Sequence, residues 1–359
     1  MEQLVRKVLP ELSASRPGEP ILIAGPCSAE TEKQTMDTAI QLSSLGVRVF
    51  RAGIWKPRTR PGAFEGVGSI GFNWLRRVKE ETGLKVAVEV ATAHHVYEAL
   101  KFGTDILWVG ARTTANPFAV QEIAEALKGV NIPILIKNPV NPDLELWIGA
   151  FERINRAGVS NLCAVHRGFS SSGITNYRNQ PLWEIPLQFR KSFPEIPMIN
   201  DPSHISGKRD MVEYVAMKAM DLGFDGLIIE SHCNPDEAWS DKNQQLTPVD
   251  LKTLIERIAR RAAAGVTTEE SDNLEELRSQ IDYCDHELLF TLFDRMRVSE
   301  KIGKYKKERS LSVIQMNRWA EILSSRLSEG SKMGLREEFV AGLFNYIHQE
   351  SVNLQAEKS

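Results

Sequence analysis

Eight short apolar runs rich in β-branched residues constrain the fold more than any other feature of the chain. They are Ile21–Ala24, Val47–Phe50, Lys85–Val90, Ile106–Gly110, Pro133–Lys137, Leu162–Val165, Met198–Asn200 and Gly226–Ile229. Most gaps between them hold a segment of helical periodicity, such as Thr31–Leu45, Ala93–Phe102, Ala119–Leu127 and Lys208–Leu222. A strand apolar on both faces, followed by an amphipathic helix, is the repeat of a parallel sheet. Eight such units in about 250 residues match a closed (β/α)8 barrel, although an open doubly wound sheet also accommodates eight strands.

The residues at which the runs stop favour the barrel. In order they are Gly25-Pro-Cys27-Ser28, Arg51 with Lys56, Glu89, Gly110-Ala-Arg112-Thr113, Lys137-Asn138, His166-Arg167-Gly168, Asn200-Asp-Pro-Ser-His204 and Glu230-Ser-His232, with Asp241 soon after. Every run ends in a polar or charged group, and a parallel barrel gathers the carboxyl ends of its strands at one mouth, where active sites form.

Near residues 263–273 the pattern breaks into small and acidic residues, Ala-Ala-Gly265-Val-Thr-Thr-Glu-Glu-Ser-Asp-Asn273, which read as a linker. Beyond it Leu274, Leu277, Ile281, Cys284, Leu288, Leu292 and Met296 recur at three- and four-residue steps and predict a long amphipathic helix to about Lys307. Shorter helices follow at about Val313–Leu327 and Leu335–Gln355. The expected organisation is a barrel over 1–262, the linker, and an all-α three-helix module over 274–359.

A net charge of -3 gives no electrostatic case for nucleic acid. The start, Met1-Glu-Gln-Leu-Val-Arg-Lys-Val-Leu9, lacks a signal-peptide pattern and no apolar run reaches spanning length, so a cytoplasmic protein with no membrane role is expected. Cys27, Cys163, Cys233 and Cys284 form no CxxC pair, which fits a reducing compartment.

Two chemical subsets separate at the strand ends. Cys27, His204, Glu230 and Asp241 combine sulfur, imidazole and carboxylates, a set that suits one divalent transition metal (Mn2+, Fe2+, Co2+ or Zn2+) better than calcium or magnesium. Arg51, Arg112, Lys137 and Arg167 are cations that repel one another unless a polyanion joins them. Cys163, Cys233, His94, His95 and His232 are read as structural, and Glu89 as a support behind the ligands.

The motifs Ile23-Ala-Gly-Pro-Cys-Ser-Ala-Glu30, Lys56-Pro-Arg-Thr59, Gly110-Ala-Arg-Thr113, Asp201-Pro-Ser-His204 and Leu227-Ile-Ile-Glu-Ser-His232 resemble those of 3-deoxy-D-arabino-heptulosonate-7-phosphate (DAHP) synthase, type I, β subgroup, over about residues 15–260. The resemblance implies condensation of phosphoenolpyruvate with erythrose 4-phosphate, at the entry to aromatic biosynthesis. It implies metal ligation by Cys27, His204, Glu230 and Asp241, and a phosphoenolpyruvate phosphate held by Arg112, Lys137 and Arg167. Arg51 and Lys56 are expected near the carboxylate and reacting end, with Arg58 and Thr59 on the sugar phosphate. The related 3-deoxy-octulosonate 8-phosphate synthase, which takes a five-carbon sugar phosphate, is the runner-up; its loop lacks the Lys-Pro-Arg-Thr run. About twenty residues precede the first strand, too few for the N-terminal regulatory domain that the subgroup can carry.

In the helical module, Arg295 and Lys306 are eleven residues apart and fall about 20° apart on one helix face. Arg278 lies roughly 25 Å before Arg295 along the axis, so one small ligand cannot touch both in the same chain. Leu277-Arg278-Ser-Gln-Ile281-Asp282, Asp294-Arg295, Ile302-Gly-Lys-Tyr-Lys306, Arg318 and Ser351-Val-Asn-Leu-Gln355 resemble the all-helical chorismate mutases, intertwined dimers that convert chorismate to prephenate. That resemblance places Arg295, Lys306, Arg318, Ser351 and Gln355 in one site, with Arg278 from the partner, and implies a homodimer or higher oligomer. Gln315 and Trp319 stand where the family carries acidic residues that contact the substrate hydroxyl. A second reading makes the module a sensor through which prephenate or chorismate controls the barrel.

Overall fold

The computed structural model describes residues 20–56, 62, 64–171, 176–263, 268–309 and 316–357. Two compact units divide the chain at Gly265 and Val266.

The first unit is built on eight parallel strands: β1 (Ile21–Gly25), β2 (Val49–Arg51), β3 (Lys85–Val90), β4 (Ile106–Val109), β5 (Ile134–Lys137), β6 (Leu162–His166), β7 (Met198–Asn200) and β8 (Gly226–Glu230). Neighbours pair in sequence order, and β1 pairs with β8 from Ile21↔Gly226 to Gly25↔Glu230, which closes the barrel and excludes the open sheet.

Both faces of the strands are buried, which explains why the sequence shows continuous apolar runs rather than alternation. Val49, Ile106, Trp108, Leu135, Val165 and Ile228 belong to a cluster that also holds Ile23, Ala87, Cys163 and Ile199. Their strand neighbours Phe50, Leu107, Val109, Ile134, Ile136, Leu227 and Ile229 pack in a second, larger cluster with helix residues such as Leu42, Leu75, Ile123 and Phe151. Burial among apolar groups pushes the Cys163 thiol pKa up, consistent with its structural reading.

Three strands run one residue beyond their apolar stretch into the polar residue that follows. Arg51 pairs with Ala87, His166 with Asn200 and Glu230 with Gly25. These side chains are therefore anchored by sheet hydrogen bonding and not by loops. Gly25 is needed for closeness: a Cβ there would lie 2.0 Å from the Arg51 carbonyl oxygen.

The helices of this unit are α1 (Glu32–Ser44), α2 (Gly71–Thr82), α3 (Ala93–Lys101), α4 (Ala111–Thr114), α5 (Pro117–Ala126), α6 (Leu144–Arg156), α7 (Glu184–Ser192), α8 (Pro202–Ser206), α9 (Arg209–Asp221) and α10 (Pro248–Ala263). Side-chain caps start several of them: Thr31 accepts from Gln34 N, Asp143 from Leu146 N, and Asp201, followed by Pro202, from His204 N. The last cap also places a ligand candidate at the mouth.

The second unit contains α11 (Thr268–Glu308), α12 (Met316–Lys332) and α13 (Glu337–Glu357). The helix α11 begins inside the stretch read as a linker, so residues 268–273 are helical. No helix among the described residues is long and apolar enough to cross a membrane.

Candidate active site

At the mouth of the barrel Cys27, Glu230 and Asp241 each bring one donor atom within 4.8 Å of the others. The Cys27 thiol donates to Asp241 Oδ2 at 3.4 Å. Lys56 Nζ donates to the Cys27 carbonyl at 3.0 Å and to its sulfur at 3.1 Å. Asp241 is held at φ 47°, a left-handed conformation that an aspartate tolerates at modest cost and that is common at functional sites.

His204 stands beside this trio, with Nε2 3.7 Å from Glu230 Oε1, while its Nδ1 is 2.8 Å from Asp201. A carboxylate on Nδ1 fixes the tautomer and leaves the Nε2 lone pair for a ligand. Burial lowers the His204 pKa against the opposing pull of Asp201, so the ring is neutral at pH 7.

The donor set fits a divalent transition metal. Glu230 Oε1 is buried and has no hydrogen-bond partner among the described residues; Arg51 Nη1 lies 3.4 Å away without bonding it. A buried carboxylate oxygen with no hydrogen-bond partner among the described residues, beside a thiol, an imidazole and a second carboxylate, suits a divalent cation. Burial and the Glu230 charge push the Cys27 thiol to about 12, so the sulfur carries a proton before any ion arrives. An ion bound through the sulfur would displace that proton, so lower pH would weaken its binding. We expect Mn2+ affinity to rise about tenfold per pH unit between pH 6 and 8, with one proton released per ion. Calorimetric titration in buffers of different ionisation enthalpy reads both quantities, and a pH-independent affinity would contradict the thiol assignment.

Next to these residues is a cavity of 260 Å³ walled by Lys56, Arg112, Lys137, Arg167 and Arg178, with Glu89, His204 and Asp241. Each cation whose contacts are described is tethered. Lys137 Nζ bonds Asp201 at 2.7 Å, Arg167 Nη1 bonds Asn179 Oδ1 at 2.6 Å, and Arg178 Nη1 lies 3.2 Å from Asp241 Oδ1. Burial, with Arg178 and Arg112 nearby, brings Arg167 down to about 10, still protonated at neutral pH. Gly110 makes room for Glu89, whose Oε1 would be 2.0 Å from any Cβ at that position. Five cations around one small cavity suit a phosphorylated, carboxylated ligand.

Arg51 departs from the sequence expectation. It is 1 % exposed, donates to the Cys27 carbonyl at 3.2 Å and lies over the Trp108 ring, so it sits behind Cys27 and Glu230 and does not wall the cavity. Its strand ends beside Cys27 and Glu230, and its side chain turns to them and not to the cavity. Arg58 and Thr59 lie outside the described residues.

In the helical unit Arg295 Nη1 donates to Ser351 Oγ and, at 3.4 Å, to the Ile347 carbonyl. Ser351 and Gln355 are buried, and Gly303 lets the chain around Gln355 approach α11, since a Cβ there would lie 3.0 Å from Gln355 Cα. His348 stacks on Trp319 with ring centroids 3.9 Å apart, and its pKa falls through burial and the charges of Arg295 and Lys306. Arg318 is exposed and pairs with Glu321 at 3.0 Å. The side chain of Arg278, and Gln315 altogether, lie outside the described residues.

Comparison with known proteins matches residues 14–263 to the DAHP synthetase I family and residues 277–356 to chorismate mutase type II. The chain belongs to the DAHP synthetase I family. It is 31% identical over 243 residues to phospho-2-dehydro-3-deoxyheptonate aldolase of Thermotoga maritima, covering 68% of this chain and 70% of that protein. It is 29% identical over 257 residues to 2-dehydro-3-deoxyphosphooctonate aldolase of Vesicomyosocius okutanii, covering 66% of this chain and 89% of the relative. The crystal structure of the Thermotoga maritima DAHP synthase superposes with a TM-score of 0.63 at 31% identity, covering 69% of this chain and 71% of that one. A truncated form of the same organism's enzyme gives 0.60 at 28% identity, covering 69% and 88%. The chain therefore carries a DAHP synthase (transferase) domain and a chorismate mutase (isomerase) domain, and is a bifunctional shikimate-pathway enzyme.

Within this DAHP synthetase I barrel, sequence reasoning missed Arg178, Asn179, Gln244 and Gln245. The first two arrive on the loop between β6 and α7, which folds back through an antiparallel bridge of Phe169 with Gln180. The glutamines follow Asp241 after β8. None ends an apolar run, so no periodic signal marks them.

Proposed function

We propose that the barrel condenses phosphoenolpyruvate with erythrose 4-phosphate to DAHP and inorganic phosphate, with a divalent metal held by Cys27, His204, Glu230 and Asp241. The five-cation cavity abutting the ligand set carries this reading. Arg112, Lys137 and Arg167 hold the phosphoenolpyruvate phosphate, and Lys56, between the Cys27 sulfur and the cavity, faces its reacting end. When bound, the ion supplies Lewis acidity toward an aldehyde oxygen. The fixed guanidinium and ammonium groups stabilise the charge that builds as phosphate leaves, at no cost of reorganisation.

The related 2-dehydro-3-deoxyphosphooctonate aldolases leave a five-carbon sugar phosphate as the second reading. The run Lys56-Pro57-Arg58-Thr59 favours the four-carbon sugar, with Arg58 and Thr59 on its phosphate. Phosphate release from phosphoenolpyruvate, assayed with each sugar phosphate in parallel, decides; turnover confined to the five-carbon sugar would reverse the choice.

The helical domain we assign to the conversion of chorismate to prephenate, in a homodimer. Leu289, Phe290, Phe293 and Val298 on α11 are more than half exposed in the single chain, an apolar surface that a second copy would cover. The rearrangement needs a ligand folded by cations and no covalent catalysis. Arg295 and Lys306 on one helix face, with Arg318, Ser351 and Gln355 and with Arg278 from the partner, form the proposed site. Arg295→Ala should lower mutase kcat/KM roughly 10- to 150-fold, equivalent to about 1.5–3 kcal/mol for a hydrogen bond to a charged group, and leave DAHP formation unchanged. Equal loss of both activities would argue against separate sites. Feedback by prephenate or chorismate through this domain is a companion proposal, tested by comparing inhibition of the full chain with that of the barrel cut after residue 265.

A further inference from the structure

Two consecutive glutamines in the loop after β8, Gln244 and Gln245, are buried behind the metal ligands. A buried primary amide is costly unless both its oxygen and its nitrogen are bonded, and here both are in each residue. Gln245 accepts from Cys27 N at 2.9 Å and donates to the Ser240 carbonyl at 2.8 Å, which ties the backbone of one ligand to the residue preceding another. Gln244 acts on a ligand side chain. Its Nε2 donates to Glu230 Oε2 at 2.7 Å, and its Oε1 accepts from Arg178 Nη1 at 2.6 Å.

The orientation of the Gln244 amide follows from its neighbours. A guanidinium only donates and an ionised carboxylate only accepts, so the carbonyl must face Arg178 and the NH2 must face Glu230. A flipped amide would set donor against donor and acceptor against acceptor. With Oε2 engaged, the Glu230 carboxylate cannot rotate without losing a buried hydrogen bond, and Oε1 is the oxygen left unbonded. The same Arg178 nitrogen lies 3.2 Å from Asp241 Oδ1, so one guanidinium steadies both carboxylates of the set.

We propose that Gln244, locked by Arg178, is the positioning residue that presents Glu230 Oε1 to the divalent ion. The inference rests on the metal reading above. Partners of this kind, bonded to a ligating carboxylate, ordinarily contribute 10- to 100-fold in metal affinity.

The test uses the full-length protein stripped of metal and titrated with Mn2+ alone, with the free ion read by electron paramagnetic resonance. Gln244→Met, close in volume and without an amide, should bind Mn2+ 10- to 100-fold more weakly than wild type. In the Co2+-loaded protein its d–d absorption bands should shift while the thiolate charge-transfer band from Cys27 persists. A purely structural role for Gln244 would leave the d–d bands in place. Should Gln244→Met not fold, Gln244→Asn carries the same measurement, because it keeps the amide and shortens its reach. Wild-type affinity and unchanged Co2+ bands in the variant would overturn the inference while leaving the metal reading intact. A wild-type protein that takes up no Mn2+ would overturn both.

Discussion

Chelation of the wild-type protein should abolish phosphate release from phosphoenolpyruvate and erythrose 4-phosphate, and Cys27→Ala should do the same. A Lewis acid contributes several kcal/mol to such a reaction, so a loss of at least about a hundredfold is expected in both cases. The two differ in their reversal. Added Mn2+ should restore the chelated wild type, whose donors are all present, and should not restore Cys27→Ala, whose remaining trio lacks the thiol. Cys27 is fully buried and its backbone N is bonded to Gln245, so loss of the sulfur leaves the local fold in place. Full turnover in metal-free protein would remove the metal from the mechanism.

Lys137→Met should destabilise the barrel by about 3–5 kcal/mol, because it leaves a buried charge uncompensated. Lys137 is the last residue of β5 and Asp201 caps α8; their 2.7 Å pair is almost wholly buried, with Asp201 at 0% exposure. Burial pushes the Asp201 pKa up, but His204 and Lys137 overcome it and hold the carboxyl well below the usual range. Lys137 is the permanently charged group bonded directly to the Asp201 carboxylate. The barrel transition in calorimetry should fall by roughly 6–20 °C. Adding Asp201→Asn should recover a large part of that fall, since asparagine keeps the cap and removes the stranded charge. A double variant as unstable as the single one would show that lost packing, not charge, is responsible.

The same pair explains why part of the site was legible and part was not. Cys27, Arg112, Lys137, Arg167, His204 and Glu230 stand at or just beyond the ends of apolar runs, and in a parallel barrel that position is the mouth. Their convergence follows from the repeat, provided the sheet closes. Arg51 has the same sequence signature but a different place, because its strand ends beside Cys27 and Glu230 and its side chain turns to them. In the helical domain Ser351 and Gln355, four residues apart on α13, are both buried. The exposure of Ile281 and Leu288, expected as stripe residues, shows that a single chain leaves part of that stripe uncovered.

The sequence by itself determined eight strands, the helices between them, the polar residues at or near the strand ends and the all-helical character of the last ninety or so residues. All of these are local or periodic properties, set by side-chain polarity over a few positions. Only the tertiary structure decided that β8 pairs with β1, that Arg51 sits behind Cys27 and Glu230, that Arg178 reaches Asp241 and that Gln244 reaches Glu230. Gln245 bonds a backbone group 218 residues away, and Gln244 and Arg178 are 66 residues apart. Such partners are set by barrel closure and by the need to satisfy buried polar atoms, neither of which leaves a local pattern in the chain.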